Sequence, residues 1–587
     1  MMKQKGWLVT FFVIFYVLKT GLLADLPPPC DSQIYCTGDI IHEVQMQKLF
    51  EDDKHFVDMG LRDTPENTIN KFKSLYTRNP MRSISRETLI EFVNTSFHEP
   101  GTEIQQWDPP DWKESPKFVS NISDSNLQKW AKDLNDLWKF LGRKIKDEVK
   151  VEPEKHSQIY VPNPLIVPGG RFREFYYWDS YWVINGLLLS EMRDTARGMI
   201  ENFLYMVDKY GIIPNGGRVY YLCRSQPPFL TLMMESYMAN QNNLTFLRQN
   251  IHLLAKEYDF WMNNRSVSVT LNGTDYTLNR YYVPAGGPRP EAYSADYEQA
   301  QKLAEEEKTP FYSDIKAAAE SGWDFSSRWF YGPRGNLLDT KTNSVVPADL
   351  NAILCRVERI LANFYTQLDM PQEASRFSAA HTQRIDAVHN VLWDDKLGVW
   401  LDYNVELQYR NPNFYPSNLA PLWASCYTNS AVVDKVVSYL EKSGALSYKN
   451  GLPTSLNNTG QQWDFPNGWA PLQHMVIEGL EKTQSAKAKE IAFKLAQKWV
   501  QVNYDAYKKY NAMYEKYDVE GDGKPGGGGE YEVQLGFGWS NGVIMQLLDL
   551  YGTRLTSSAI TTSLSFLTVL FPVLITAVGI HFMQCLP

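Results

Sequence analysis

The chain has 587 residues, of which 44% are hydrophobic and 21% are charged, so it has the composition of a globular protein and ample length for a large core. Its formal net charge is −9 and it has no Lys/Arg-rich stripe, which excludes a role that depends on neutralising nucleic-acid phosphates. Aromatic residues make up 13% of the chain, which fits both core packing and a site that stacks sugar rings.

The N-terminus has the pattern of a secretory signal peptide. Lys3 and Lys5 precede an apolar run over residues 7–18, and small apolar residues lead to a cleavage site after Ala24. The run is too short for an ordinary membrane span. We predict that residues 1–24 are a signal peptide and that residues 25–60 form an N-terminal extension. One large domain, residues 61–555, follows.

Asn-x-Ser/Thr sequons and sparse cysteines agree with an exported protein. Among the six cysteines, Cys30 and Cys36 are close enough in sequence for a local disulfide, and none has the paired spacing of a zinc site. We therefore expect packing, rather than disulfides, to hold the core. Together with a signal peptide, the sequons predict a glycosylated exterior. They begin at Asn94, Asn121, Asn243, Asn264, Asn272 and Asn457.

The middle of the chain repeats apolar residues at helical spacing, and alternation typical of strands is scarce. There is no short fixed repeat, which argues against a thin solenoid. The pattern predicts an all-α fold built as an array or toroid of helices. The clearest helical stretches are residues 130–141, 350–364, 377–392, 432–440 and 485–510.

Loops rich in Gly, Pro, Trp and acidic residues separate these helices, and binding residues concentrate on such loops. The first contains Arg171, Trp178 and Asp179. An arginine offers a rigid fork of donors, an aspartate accepts from two hydroxyls and a tryptophan offers an apolar face. The three fit a polyhydroxylated ring, but a structural Arg–Asp pair at a helix entry explains them equally well.

Two further loops also carry arginines. These arginines are compatible with an anionic ligand such as a phosphosugar, and equally with charge partners for carboxylates of a site. No Gly-rich phosphate-binding motif accompanies them. The residues concerned are Asn215, Arg224, Ser225, Gln226, Arg289, Pro290 and Glu291.

Four carboxylates lie in similar loops, namely Asp324, Asp464, Glu515 and Glu530. Asp324 and Asp464 are each flanked by a Trp and a Phe, and an apolar surrounding raises a carboxyl pKa towards that of a general acid. Cleavage of a glycosidic bond generally needs two carboxyl groups. Local sequence does not rank the four, and for any one of them a helix cap or an ion pair is the simpler explanation.

The segment that begins at Asp518 starts like an EF-hand calcium loop. Its twelfth position is Gly529 rather than the required Glu, so we predict no EF-hand. The glycine run over residues 526–529 indicates either a mobile loop, such as a lid, or one that approaches other backbone closely.

The C-terminus carries a second targeting pattern. No Lys or Arg follows Arg554, and small residues lead to an apolar segment over residues 566–580. Because a membrane span normally has basic residues on its cytoplasmic flank, a removable GPI-anchor signal over residues 556–587 fits better. Ser557 or Ser558 is the expected attachment site, and a true membrane span is the alternative.

Two long motifs identify a family. PGGRFREFYYWDSY (residues 168–181) resembles the first signature of the trehalase family, and QWDFPNGWAP (residues 462–471) resembles the second. Three shorter motifs match as well: SGWDFSSRW (321–329), GGGGEY (526–531) and GFGW (536–539). The resemblance covers roughly residues 40–550, essentially one domain. The PPPC start of the mature chain and the apolar tail are similar to vertebrate members in particular.

The resemblance implies an (α/α)6 toroid that hydrolyses α,α-trehalose to two glucoses with inversion, without metal or organic cofactor. It implies Asp324 as general acid and Glu515 as general base, and an inverting site holds such carboxyls roughly 6.5–9.5 Å apart. It further implies that the sugar is bound by Arg171, Trp178, Asp179, Asn215, Arg224, Ser225, Gln226, Arg289, Pro290, Glu291, Gly322 and Glu530.

Two other functions remain open at the level of sequence. One is an inverting glycosidase on the same toroid that acts on a different α-glucoside, and the two signatures argue against it. The other is a sugar-binding surface receptor without turnover, against which the presence of both Asp324 and Glu515 argues. The sequence therefore predicts a GPI-anchored trehalase on the extracellular face of the plasma membrane.

Overall fold

The computed structural model of the protein describes residues 26–77, 84–529, 534 and 536–558. The predicted signal peptide and the apolar C-terminal segment lie outside these residues. Within them, no helix combines the length and the apolar character that crossing a bilayer requires.

Within the described residues, twelve helices alternate along the chain between an outer and an inner ring. The outer helices are α5 (Ser125–Leu141), α8 (Arg193–Tyr210), α10 (Leu244–Asn264), α14 (Pro371–Ala387), α16 (Val432–Lys442) and α18 (Ala486–Tyr510). The inner helices are α7 (Asp179–Leu189), α9 (Leu230–Gln241), α13 (Ala348–Gln367), α15 (Ala420–Ala424), α17 (Ala470–Glu481) and α19 (Gly538–Tyr551). Each inner helix contacts the next, and α19 contacts α7, so the ring is closed. The predicted all-α (α/α)6 toroid is confirmed.

The other helices lie before the rings or between their members. Of those in the described ranges, four precede the toroid and three lie in its connections. They are α1 (Asp39–Met46), α2 (Asp53–Val57), α3 (Pro65–Thr77), α4 (Arg86–Ser96), α6 (Glu148–Val151), α11 (Tyr293–Ala300) and α12 (Glu305–Glu320).

Local chemistry explains where the ring helices begin and why the inner ones differ from the outer ones. Asp124 caps α5 by accepting hydrogen bonds from the backbone N–H groups of Asn126 and Leu127. Outer helices such as α5 bury one apolar stripe, whereas α7 is buried on every side from Asp179 to Leu188 except at Asn185. Because α7 is covered on nearly all sides, its sequence is largely apolar all round.

Glycine permits a close contact between α7 and α19, the helix pair that closes the inner ring. A Cβ atom on Gly542 would lie 2.1 Å from the carbonyl oxygen of Trp182, and one on Gly186 would lie 3.0 Å from the Cα atom of Gly542. A real Cβ atom essentially never lies as close as the first distance and rarely as close as the second, so glycine at these two positions lets the helices touch backbone to backbone.

Short antiparallel strands form six small sheets in the described part of the chain. The pairs or triplets are β1 (Gly60–Leu61) with β2 (Phe97–His98); β3 (Ile104–Gln106), β4 (Gly142–Ile145) and β5 (Leu165–Ile166); β6 (Ser266–Leu271) with β7 (Thr274–Asn279); β8 (Val345–Val346), β11 (Tyr403–Asn404) and β12 (Tyr409–Arg410); β9 (Trp393–Asp394) with β10 (Val399–Trp400); and β13 (Asn467–Trp469) with β14 (Lys516–Asp518). The last pair ties the second signature to the segment after α18.

Two disulfides cross-link the part of the chain that the structure describes. Cys30 and Cys36 form the expected local bridge. A second bridge joins Cys355 on α13 to Cys426, just after α15, and both cysteines are fully buried. The expectation that packing, rather than disulfides, holds the core is therefore corrected, because a buried disulfide also ties α13 to the residues just after the neighbouring inner helix α15. Local spacing could not reveal this pairing, since the two cysteines are 71 residues apart.

Candidate active site

Loops that lead into the inner helices converge on one cavity, and most of the predicted site residues line it. Those that do are Arg171, Trp178, Asp179, Asn215, Arg224, Gln226, Arg289, Glu291, Gly322, Asp324 and Glu515. Residues from five separate loops thus meet in one cavity. The sequences of the individual loops do not by themselves predict that they meet.

Two predicted residues, Ser225 and Pro290, do not line the cavity. Ser225 is buried behind it, where its hydroxyl donates to the carbonyl oxygen of Ile213 and its backbone N–H donates to Glu320. Pro290 is buried, and its carbonyl oxygen accepts a hydrogen bond from Gln45. Ser225 and Pro290 therefore hold the shape of the wall. Glu530 lies outside the described residues.

Asp324 is half-buried in a turn that follows α12. Gly322 in this turn has a positive φ of 76°, and a Cβ atom there would lie 2.6 Å from the indole ring of Trp178, so the turn requires glycine. The carbonyl oxygen of Asp324 accepts a hydrogen bond from Gln462 Nε2 at 2.6 Å. The second signature thus fixes the backbone of the predicted general acid.

Asp464 has a different role from that of a cavity carboxylate. It is fully buried, and its oxygens accept hydrogen bonds from the hydroxyls of Ser326, Ser327, Ser455 and Thr459. Burial raises its pKa, although these hydrogen bonds act in the opposite direction. Asp464 therefore anchors the loop after Asp324, and it does not line the cavity. The structure separates two carboxylates that local sequence could not rank.

Glu515 lies in the segment between α18 and α19 and is 2% exposed. Its backbone N–H donates to the carbonyl oxygen of Gln534 at 3.1 Å, and its carbonyl oxygen accepts from Trp539 Nε1 at 3.1 Å. Strand β14 begins at the next residue, Lys516. The backbone of the predicted general base is held on both sides.

Asp179, the first residue of α7, lies close enough to both predicted catalytic carboxylates to be affected by their charge. Burial raises its pKa well above the ordinary value, and Coulomb repulsion from Glu515 and Asp324 raises it further. Three carboxyl groups therefore share one partly closed cavity. The repulsion favours a proton on at least one of them, which is the condition for a pair of groups that act as acid and base.

Arg224 forms the centre of a polar wall. Its Nε atom donates to Asn215 Oδ1 at 2.9 Å and its Nη2 atom donates to Glu291 Oε1 at 2.6 Å. Burial alone would raise the pKa of Glu291, but Arg224 and Arg289 lower it below its usual value. Among the described residues, Arg224 Nη1 and Glu291 Oε2 are buried without a hydrogen-bond partner. One donor and one acceptor are thus available for a hydroxylated ligand.

The other two arginines are held by aspartates. Arg289 is fully buried and paired with Asp296 through two hydrogen bonds of 2.9 and 2.7 Å. Arg171 is paired in the same bidentate way with Asp52. Asp52 comes from the predicted N-terminal extension, and no local motif marked it as part of the site.

A cluster of indole rings forms the apolar wall, most of which the residue predictions missed. Trp463 and Trp469 lie parallel with ring centroids 3.9 Å apart, and the ring of Trp539 stands nearly perpendicular to Trp469. Trp178 packs edge-on against Trp539. Trp463, Trp469 and Trp539 all belong to matching family motifs, so the motifs contained this signal. Such a wall suits the apolar face of a pyranose ring.

The glycine run approaches other backbone closely, one of the two alternatives that the sequence left open. A Cβ atom on Gly528 would lie 2.5 Å from the carbonyl oxygen of Gly460. The backbone N–H and the carbonyl oxygen of Gly527 both bond to the side chain of Asn467. The run is therefore fastened to the second signature up to Gly529.

No group of three or more His, Cys, Asp or Glu side chains in the described ranges is arranged to hold a metal ion. Asp518, the first residue of the EF-hand-like stretch, accepts hydrogen bonds from the backbone N–H groups of Glu520 and Gly521. Its carboxylate thus stabilises a local turn.

A buried glutamate behind the cavity gives a prediction about pH. Glu257 on α10 accepts a hydrogen bond from Tyr177, and burial raises its pKa from 4.5 to about 8. Between about pH 4.5 and pH 8, the folded state therefore keeps a proton that the unfolded state has already lost. The free energy of unfolding consequently decreases as the pH rises through this window. Gln keeps the carbonyl acceptor but has no proton to lose.

We therefore expect Glu257→Gln to be more stable than the wild type by an amount that grows at roughly 1.4 kcal/mol per pH unit within this window. Urea unfolding of both proteins at pH 5, 6, 7 and 8 measures this difference. Curves that keep a constant separation from pH 5 to pH 8 would contradict it.

Comparisons with known proteins show the family of the chain. The model of the family described as Trehalase matches residues 48–552. Human trehalase is 55% identical over 92% of this chain and 93% of its own length, and honey-bee (Apis mellifera) trehalase is 46% identical over 93% and 88%. The structure of neutral trehalase from Saccharomyces cerevisiae superposes with a TM-score of 0.55, at 25% identity, over 68% of this chain and 79% of that one. The chain therefore belongs to the trehalase family.

Proposed function

We propose that the protein hydrolyses α,α-trehalose to two glucose molecules with inversion at one anomeric carbon. The observation that carries the proposal is the meeting of Asp324, Glu515 and Asp179 in one cavity that also has a hydrogen-bonding wall and an aromatic wall. A disaccharide of two identical pyranoses needs both kinds of contact, and its hydrolysis needs two carboxyl groups.

In the proposed mechanism, Asp324 donates its proton to the oxygen that bridges the two sugars as the glycosidic bond breaks. Glu515 takes a proton from a water molecule, whose oxygen bonds to the same anomeric carbon from the opposite face. One glucose leaves in the α form and the other forms as the β anomer. Asp324 ends ionised and Glu515 ends protonated, so exchange of one proton with solvent restores the site.

The remaining wall residues serve to orient the sugar. Arg224 Nη1 and Glu291 Oε2 offer a buried donor and a buried acceptor to hydroxyl groups. Because Glu291 stays ionised beside two arginines, its charge also strengthens the hydrogen bonds that it accepts. A ligand without hydroxyls at these positions would leave both groups unpaired, which disfavours its binding.

Product analysis tests the proposal. The purified protein is incubated with trehalose, maltose and sucrose, and the anomers released are followed by proton NMR before mutarotation. We expect turnover of trehalose alone, with equal initial amounts of α- and β-glucose. Turnover of maltose but not trehalose would favour the related glycosidase. Binding of trehalose without turnover would favour a receptor, and two α anomers would indicate retention.

We also propose that the protein is exported and held on the extracellular face of the plasma membrane by a GPI anchor. Both disulfides support export, because such bonds persist in oxidising compartments. The sequon asparagines support it as well, since Asn94, Asn121, Asn264, Asn272 and Asn457 are exposed and Asn243 is half-exposed. The described chain reaches Ser558, and Ser557 hydrogen-bonds to Asp124 at the start of α5.

Cells that express the full chain test this placement. Phosphatidylinositol-specific phospholipase C is expected to release most trehalase activity from intact cells, and peptide-N-glycosidase is expected to lower the apparent mass of the released protein. Activity that stays in the membrane fraction would instead indicate a true membrane span. Activity confined to the cytosol would overturn the proposal of export.

A further inference from the structure

Part of the cavity wall comes from the segment before the toroid. Residues 51–53 are three consecutive acids, and all three line the same cavity as Asp324 and Glu515. They stand at the start of α2, inside residues 25–60, which sequence analysis separates from the catalytic domain. The segment therefore contacts the space where the sugar is proposed to bind.

Asp52 makes the most direct contact with a predicted sugar-binding residue. Its Oδ2 atom accepts from Arg171 Nε at 2.7 Å and its Oδ1 atom accepts from Arg171 Nη2 at 2.6 Å. Two parallel hydrogen bonds fix the plane of a guanidinium as well as its position. They therefore restrict the rotamers that a long arginine side chain can adopt.

Asp52 is itself held in place, so it can act as a fixed support. It caps α2 by accepting from the backbone N–H of Lys54 at 3.0 Å. The buried ammonium group of Lys54 forms an ion pair with Glu174, 2.8 Å away, in the same loop as Arg171. Burial alone would raise the pKa of Asp52, but Arg171 lowers it, so the carboxylate stays charged in mildly acidic solution.

The next residue ties the same segment to the opposite part of the wall. Asp53 Oδ2 accepts from the backbone N–H of Ser294 at 2.6 Å. Gln45 Nε2 donates to the carbonyl oxygen of Pro290 at 3.4 Å. Helix α2 and the residues before it thus bridge the loop of Arg171 and the turn that carries Glu291.

We propose that Asp52 is a positioning residue that holds Arg171 in the orientation that binds one glucosyl unit of the substrate, and that the segment 39–58 is consequently part of the active site. The inference rests on the proposed function and deepens it. Asp52 acts through Arg171, and it takes no part in proton transfer.

The test is Asp52→Asn in the otherwise intact protein. Asn caps a helix as well as Asp does, so the variant keeps α2 and loses only the charged pair. We expect KM for trehalose to rise at least about tenfold while kcat stays within about twofold of wild type, because Arg171 binds ground and transition states alike. Asp52→Ser, another capping residue, provides a second variant should the first fold poorly.

A double-mutant cycle tests whether Asp52 acts through Arg171. If it does, Asp52→Asn combined with Arg171→Lys should raise KM no further than Arg171→Lys alone. The matched control is Asp259→Asn, which breaks an Arg–Asp pair with Arg376 on the outer ring and should leave KM unchanged; Asp259 and Asp52 are similarly exposed, at 43% and 41%.

Three outcomes would overturn the inference. The first two are a wild-type KM in Asp52→Asn and a fall in its kcat at constant KM. The third is a double variant whose KM rises by the product of the factors measured for Asp52→Asn and Arg171→Lys separately. A wild-type protein that does not hydrolyse trehalose would instead refute the proposed function, so the two failures are distinguishable.

Discussion

Replacing Asp324 by Asn is expected to lower kcat for trehalose at least about a thousandfold, because an amide has no acidic proton to give to the bridging oxygen. The change keeps the size of the side chain, and the hydrogen bond from Gln462 to the backbone carbonyl of residue 324 does not depend on it. The thermal midpoint should therefore not fall. Glucose release and thermal unfolding, measured on the same preparation, check both parts.

A substrate that needs no acid separates the loss of the proton donor from damage to the site. Fluoride leaves as a weak base, so the Asp324→Asn protein should hydrolyse α-glucosyl fluoride within about tenfold of the wild-type rate. An equal loss on both substrates would show that Asp324 does not act as the acid. The control is Asp314→Asn, the same change at a buried carboxyl in α12, outside the cavity, which should leave kcat within about twofold of wild type.

Much of the fold can be predicted from the sequence, because each helix of the rings is indicated by apolar residues at helical spacing within one short stretch. The stretch 350–364 predicts α13 (Ala348–Gln367), and the helix-rich stretch 485–510 corresponds closely to α18 (Ala486–Tyr510). Pairings between distant residues carry no such signal. The Cys355–Cys426 bridge and the contact of Gly186 with Gly542 depend on which helices become neighbours in the closed ring.

The site follows from the sequence to a lesser extent, and mainly where a motif is long. The motifs identified Asp324 and Glu515, but the same local pattern surrounds Asp464, whose four hydroxyl partners come from two separate loops. No local motif marked Asp52 as a site residue, because its link to the site is an arginine 119 residues away in the chain. Residues that support a site are thus harder to find from sequence than those that perform its chemistry.

Replacing Glu515 by Gln is expected to lower kcat for trehalose at least about a thousandfold, for a reason different from that for Asp324. Gln cannot accept a proton from the attacking water, so the nucleophile is lost while the acid is retained. The two backbone hydrogen bonds of residue 515 do not involve its side chain, so the thermal midpoint should be preserved. This variant is impaired in the attack by water and not in the departure of the leaving group. A substrate with a better leaving group, α-glucosyl fluoride, should therefore be hydrolysed poorly as well.

A small anion distinguishes the two roles directly. Azide needs no deprotonation to act as a nucleophile, and it is small enough to occupy the place of the water. Azide should therefore accelerate Glu515→Gln with α-glucosyl fluoride and give β-glucosyl azide, because attack from the face opposite the leaving group inverts the centre. It should not accelerate Asp324→Asn in the same way, since that protein retains its base. If azide instead rescued Asp324→Asn and left Glu515→Gln inactive, the assignments of acid and base would have to be exchanged.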